Sequence, residues 1–188
     1  MSRTTMLVVC TLVLALSAGY AAAQADTLKV DYFSNANTGG APDATVRLTN
    51  PGTAGGSLCA NIFVFDSSQE MSECCSCLVS PDGLRTLSVN TNLTNNPLTG
   101  VILSGGAIKV LSSPTKGGLC PVPDYPLTPT AGVRGWATHI QNSGFAITET
   151  ASQDATLSTA EKTRLQFECF AVVLDGSGRG VCSCGTGD

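Results

Sequence analysis

Cysteine placement restricts this chain more than any other feature. Nine cysteines occur in 188 residues. Cys10 stands alone in an apolar N-terminal run. The other eight are Cys59, Cys74, Cys75, Cys77, Cys120, Cys169, Cys182 and Cys184. An even number of cysteines in an exported chain reads as a disulfide framework. About a hundred connectivities are open to eight cysteines, so spacing does not fix the pairing. Cys74 and Cys75 are adjacent, and a bond between them would strain their shared peptide, so they are expected to face different partners. Cys74, Cys75 and Cys77 form one dense group that has to reach outward, to Cys59, Cys120 or the C-terminal cysteines. Cys169 is expected to pair with Cys182 or Cys184 across a short loop. Each such bond contributes about 2–4 kcal/mol.

The disulfide reading depends on export, and residues 1–25 read as a secretory signal peptide. Arg3 supplies the positive start, and Met6 to Leu16 supply the apolar stretch. Small residues follow, and cleavage is expected after Ala25 or, as the alternative, after Ala23. Ala23-Gln24-Ala25 fits the small-x-small rule, and Asp26 opens a polar strand. The apolar stretch is shorter than the roughly 20 residues of a spanning helix, which argues against an uncleaved anchor. The best later candidate for a span, Val101 to Leu111, is broken by Gly105, Gly106 and Lys109. Residues 26–188 are therefore expected to form a single secreted domain. Its destination is extracellular or the cell surface, with the periplasm as the other compartment.

Charge excludes further classes. The chain carries a net charge of −4, and charged residues are only 13% of it. Such a balance is wrong for a nucleic-acid binder or a polybasic membrane-surface protein. Hydrophobic residues reach 43%, enough for a packed core rather than a disordered coil.

Hydrophobic periodicity is mostly that of strands. Leu28, Val30 and Tyr32 alternate with polar neighbours, and so do Val46 and Leu48 around Arg47. Leu58 to Phe65 is continuously apolar and β-branched, the pattern of a central strand. Asp66 to Glu73 is a polar excursion ahead of the cysteine group. Pro81-Asp82-Gly83 is a turn, and Leu84 to Val89 alternates again. Val101 to Leu103 and Ala107 to Leu111 read as a hairpin around Ser104-Gly105-Gly106. Ser113 to Gly132 holds five prolines and cannot be a regular element; Cys120 tethers it. Val133 to Ile140 and Phe145 to Thr150 read as strands joined by Gln141 to Gly144. One helix follows. Ser158 and Glu161 form a capping box, and Leu165, Cys169 and Val172 make its buried stripe, widened by Phe170 and Val173. Gly176-Ser177-Gly178 ends it. The expected fold is mainly β, a two-sheet sandwich-like domain with one C-terminal α-helix, stapled by up to four disulfides.

Reactive constellations are few. Cys74 and Cys77 formally make a C-x-x-C, but they lie in a strand-like stretch rather than at a helix start. Cys74, Cys77, Cys182 and Cys184 are a conceivable zinc or copper set, although C-x-C spacing fits structural zinc poorly. Asp66, Glu70 and Glu73 are the one acidic cluster and the candidate calcium ligands, without the glycine and full ligand set of an EF-hand. His139 is the only histidine. A serine or cysteine nucleophile would need it as base, yet no G-x-S-x-G is present. It reads as a strand histidine at the sheet surface, with Trp136, Thr138 and Ile140 sharing one face. No phosphate-binding loop appears. Asn92-Leu93-Thr94 is a glycosylation sequon, relevant only in a eukaryotic host.

The block Cys59-Ala60-Asn61-Ile62-Phe63-Val64-Phe65-Asp66, with Glu73-Cys74-Cys75-Ser76-Cys77 and Pro81-Asp82-Gly83-Leu84, resembles a group of uncharacterised exported bacterial proteins. Leu157, the helix to Cys169, Gly176-Ser177-Gly178 and Cys182 extend the resemblance over most of the mature chain. It implies secretion from a bacterium and leaves the sequon without a role. It supplies no activity and no catalytic residue.

The expectation from sequence is thus a secreted, non-enzymatic structural, adhesive or surface-binding module that needs no cofactor. Its partners would be further copies of itself or a cell-surface glycan. Strand addition at an exposed sheet edge would be one route to assembly. The alternatives are a secreted metal-binding protein, through the cysteines or Asp66, Glu70 and Glu73, and a secreted hydrolase built around His139.

Overall fold

The computed structural model describes residues 27–95, 102–177, 182 and 184. The signal peptide and its cleavage positions lie outside the described residues, as do Val101 and Gly178. Among the described residues, nine strands and one α-helix follow in the order β1 (Leu28–Ser34), β2 (Thr45–Thr49), β3 (Leu58–Asp66), β4 (Met71–Val79), β5 (Leu84–Ser88), β6 (Gly105–Pro114), β7 (Arg134–Gln141), β8 (Ala146–Ala151), β9 (Gln153–Ala155) and α1 (Thr159–Leu174). A single π-helical turn, Val89–Leu93, follows β5.

The strands form two antiparallel sheets. One has the order β4-β3-β6-β1-β9, the other β5-β2-β7-β8. The fold is the mainly-β, two-sheet arrangement with a C-terminal helix that the periodicity predicts.

A continuous apolar run needs cover on both faces, and β3 obtains it. Eight of its nine residues are buried. Leu58, Ala60, Ile62 and Val64 point between the sheets, against Val46, Leu48 and Leu87 of the other sheet. Phe63 and Phe65 point outward into a second core, closed by Leu165, Cys169 and Val172 of α1 and by Leu127 of the proline-rich segment. The molecule thus has three layers. The second core buries Phe63 and Phe65, whereas Phe33 lies in the core between the sheets.

One glycine of β6 is required by backbone approach. Gly105 and Gly106 do not turn a hairpin; they open β6, which pairs with β1 and β3. A Cβ on Gly106 would lie 2.0 Å from the Phe65 carbonyl oxygen and 3.0 Å from the Phe33 ring. Glycine is needed there for closeness to its neighbours, not for a turn. At the end of α1, Gly176 takes φ 107°, and the Ser177 N–H donates to the Val172 carbonyl. This is the left-handed stop expected after a helix. At the other end the Ser158 hydroxyl accepts from the Glu161 N–H at 3.1 Å, as the capping box predicts.

Candidate functional site

The sulfur framework follows from the pleat of β4. Successive side chains on a strand face opposite ways. Cys74 therefore points to the outer core, and Cys75 and Cys77 point to the inner one. Cys74 bonds Cys169 of α1, and Cys75 bonds Cys184 of the C-terminal tail. Cys59, on β3, bonds Cys120 and ties down the proline-rich segment. The adjacent pair does take different partners. The expectation that Cys169 pairs with Cys182 or Cys184 is overturned. Cys169 lies in the core on the outer face of the sheet and Cys184 in the core on the inner side, so the two sit on opposite faces of β4.

Cys77 and Cys182, expected among the disulfide-bonded cysteines, carry free thiols: both lie at the inner core, but the fourth bond is not formed. The cysteine set considered for zinc or copper is not assembled. Cys74 and Cys184 are committed to separate disulfides, and the C-x-x-C of Cys74 and Cys77 is divided between the two faces of β4.

The acidic residues do not converge either. Asp66 accepts hydrogen bonds from the Ser68 and Glu70 N–H groups at 2.8 and 2.9 Å, which shapes the β3–β4 turn. Glu70 is exposed on that turn. Glu73 is buried on β4, where the Ser177 hydroxyl donates to its carboxylate. The same hydroxyl accepts from the Cys74 N–H at 2.9 Å. Glu73 thereby fixes the chain leaving α1 against β4. Among the described residues, no three His, Cys, Asp or Glu side chains gather into a ligand set.

His139 is not at the sheet surface as its alternation suggests. It is 2% exposed, and Trp136 is the residue turned outward. The imidazole stacks on Tyr32 with ring centroids 4.1 Å apart. Nδ1 lies 3.0 Å from the Tyr32 carbonyl oxygen, and Nε2 lies 2.8 Å from Thr150 Oγ1. A carbonyl can only accept, so Nδ1 carries the proton given to the Tyr32 carbonyl, and Nε2 shares a hydrogen bond with the Thr150 hydroxyl. Both nitrogens are spent on joining β1, β7 and β8. A cleft of about 410 Å³ opens beside the ring, bordered by Asp31, Tyr32, Thr150 and Gln153. Asp31 is buried there, and burial raises its carboxyl above the ordinary range; a hydrogen bond from Ser152 and the neighbouring His139 oppose that shift.

The feature that sequence reading missed is on α1. Phe170 does not widen the buried stripe. It is 54% exposed, with Phe167 at 74%, Leu174 at 71% and Tyr125 of the proline-rich segment at 77%. A trough of about 590 Å³ runs between Tyr125 and the helix, floored by Pro123, Phe167 and Phe170, with Thr163 and Gln166 as its polar members. The signal was present in the spacing. Phe167, Phe170 and Leu174 recur at three and four residues, a second apolar stripe opposite Leu165, Cys169 and Val172. No family model, curated protein or solved structure matches the chain.

Proposed function

We propose that this protein is an exported, non-enzymatic adhesive or surface-binding module whose contact surface is the outer face of α1 together with Tyr125. The exposed stripe of Phe167, Phe170 and Leu174 beside Tyr125 carries this reading. Contiguous exposed apolar side chains on a folded domain mark interaction sites. Rigid aromatic anchors contribute large contact area at low entropic cost. The stripe also stands on a braced support, since Cys74–Cys169 bonds α1 to β4 on the helix's opposite side. Three disulfides suit an oxidising compartment. Among the described residues no helix is long and apolar enough to cross a membrane.

The stripe is apolar along about two helical turns and offers few hydrogen-bonding groups, which favours a second copy of the chain over a sugar. Sedimentation of the mature protein should show concentration-dependent dimers that the Phe167→Ser/Phe170→Ser variant loses. Retained monomers in both, combined with co-sedimentation on isolated cell-wall glycan that the same variant abolishes, would move the partner to the glycan. Identical behaviour of variant and wild type in both assays would end the proposal.

A further inference from the structure

We propose that Cys77 and Cys182 form a thiol–disulfide exchange couple, with Cys182 as the attacking sulfur, Cys77 as the resolving sulfur and small disulfides as the substrate class. The geometry rests on a repeated spacing. Cys75 and Cys77 on β4 have the same one-residue spacing as Cys182 and Cys184, and Cys75 is already bonded to Cys184. That bond holds the Cys75 and Cys184 Cα atoms 4.7 Å apart. Two residues on along β4 and two residues back from Cys184, Cys77 and Cys182 share the inner core, and Cys182 borders a cavity with Ser76 and Leu78, the residues on either side of Cys77. The static disulfide thus presents the two thiols to each other, which converts their closure into a local, intramolecular step.

The two sulfurs are not equivalent. Cys77 is fully buried, whereas Cys182 is only partly covered and borders an open cavity of about 360 Å³. Arg85 lines the same cavity and is fixed by a hydrogen bond from its Nε to the Leu78 carbonyl at 2.9 Å. A hydrogen bond from Cys77, aided by the Arg85 charge and opposed by burial, pulls the Cys182 thiol down to about 7. The hydrogen bond to Cys182, together with burial, holds the Cys77 thiol above its usual range. The thiolate is the nucleophile in exchange, so the accessible sulfur is also the activated one.

The chemistry balances with one small disulfide, RS–SR, as oxidant. The Cys182 thiolate attacks one sulfur of RS–SR. A Cys182–SR bond forms, the RS–SR bond breaks, and the first RS⁻ leaves and takes a proton from water. Cys77 then attacks the Cys182 sulfur. The Cys77–Cys182 bond forms, the Cys182–SR bond breaks, and the second RS⁻ leaves with the Cys77 proton. The protein gives up two electrons and two protons, and two RSH result. A dithiol reductant reverses the sequence. The couple is separate from the apolar face of α1, and it stands or falls without that reading.

The test uses the mature protein after mild reduction and exposure to oxidised glutathione, followed by intact-mass analysis. Cys77→Ser should accumulate one glutathione per chain, because nothing resolves the mixed disulfide. Wild type should end with the pair closed and no adduct, and Cys182→Ser should take up at least tenfold less than Cys77→Ser. Labelling of reduced wild type by iodoacetamide supplies a readout that does not depend on the variants folding. Cys182 should react at least tenfold faster than Cys77, with a midpoint near pH 7, and Arg85→Gln should move that midpoint upward. Equal uptake by the two serine variants, equal labelling of the two cysteines, or a pair that reductant opens only together with the three other disulfides would each overturn the assignment.

Discussion

The two long sides of the sandwich are closed by different chemistry. On the β4 side the tail is bonded through Cys75–Cys184, the helix through Cys74–Cys169, and the proline-rich segment through Cys59–Cys120. The opposite side, where β1 meets β7, contains no sulfur. Ser34 Oγ and Asn35 Nδ2 both donate to the Ile140 carbonyl, at 2.6 and 2.8 Å. Gln141 donates to the Tyr32 hydroxyl at 2.7 Å, and His139 joins the Tyr32 carbonyl to Thr150. None of the strands β5, β2, β7 and β8 carries a cysteine. The covalent bonds therefore do not join sheet to sheet. They attach what lies outside the sandwich, namely helix, tail and loop, to the edge strand β4 and its neighbour β3. Between the sheets, packing of residues such as Leu48, Ile62 and Leu87 suffices. Bonds with long sequence separation belong where few backbone hydrogen bonds hold a segment, because their benefit grows with the loop they close.

The strongest way to break this contrast is on the sulfur side. Cys74→Ala/Cys169→Ala opens a link that spans 95 residues. It should lower the unfolding free energy by about 4 kcal/mol, read from denaturant midpoints. A loss below about 1 kcal/mol would mean that apolar contacts alone dock α1. The polar seam should give a smaller effect. His139→Ala leaves the Tyr32 carbonyl and the Thr150 hydroxyl without their partner, and should cost about 2 kcal/mol by the same measurement. If the histidine variant costs more than the disulfide pair, the ranking of the two sides is reversed.

The same contrast separates what the sequence made legible from what it did not. Strand positions, the doubly buried β3 and the capped helix are local properties, and periodicity and capping residues report them directly. The partner of Cys169 is not local. It depends on which face of the sheet receives α1, and nothing between Ser158 and Gly176 encodes that choice. Phe170 fails for a related reason. A helix with apolar residues on two faces does not declare which face is inward, and the pairing of Cys169 with Cys74 decides it. Gly105 and Gly106 were legible as special but not as to why, because the Phe65 carbonyl that excludes a side chain comes from a strand some forty residues earlier. His139 lies in a strand as predicted, but the Tyr32 that covers it comes from β1, so a residue read as surface found an interior. Of the candidate sites, the cysteine clustering was evident, whereas the split of Cys77 from Cys74 required the pleat.

Smaller effects sharpen the comparison at the helix. Ser158→Ala removes the acceptor for the Glu161 N–H and should cost about 1 kcal/mol. Amide exchange should localise the loosening to the first turn of α1, since Cys169 remains bonded further along. Loosening of the whole helix would show that the disulfide does not hold it independently of its cap.

The last prediction has the opposite sign and belongs to the polar seam. Burial raises the Asp31 carboxyl above its ordinary value of 3.8, so the folded protein holds its proton more tightly than the unfolded chain does. An acid raised in this way costs nothing below the unfolded value. It reduces stability progressively as pH rises through the folded value, because the charge must then be carried in a desolvated place. Asp31→Asn keeps an oxygen that accepts the Ser152 hydroxyl and removes the charge. The variant should therefore be more stable than wild type at pH 7, and the advantage should shrink toward zero as pH falls below 3.8, in denaturant melts across that range. A variant less stable at pH 7 would mean that the ionised carboxylate, held by Ser152 and His139, stabilises the seam as an ion, and that this side too is closed by a strong link.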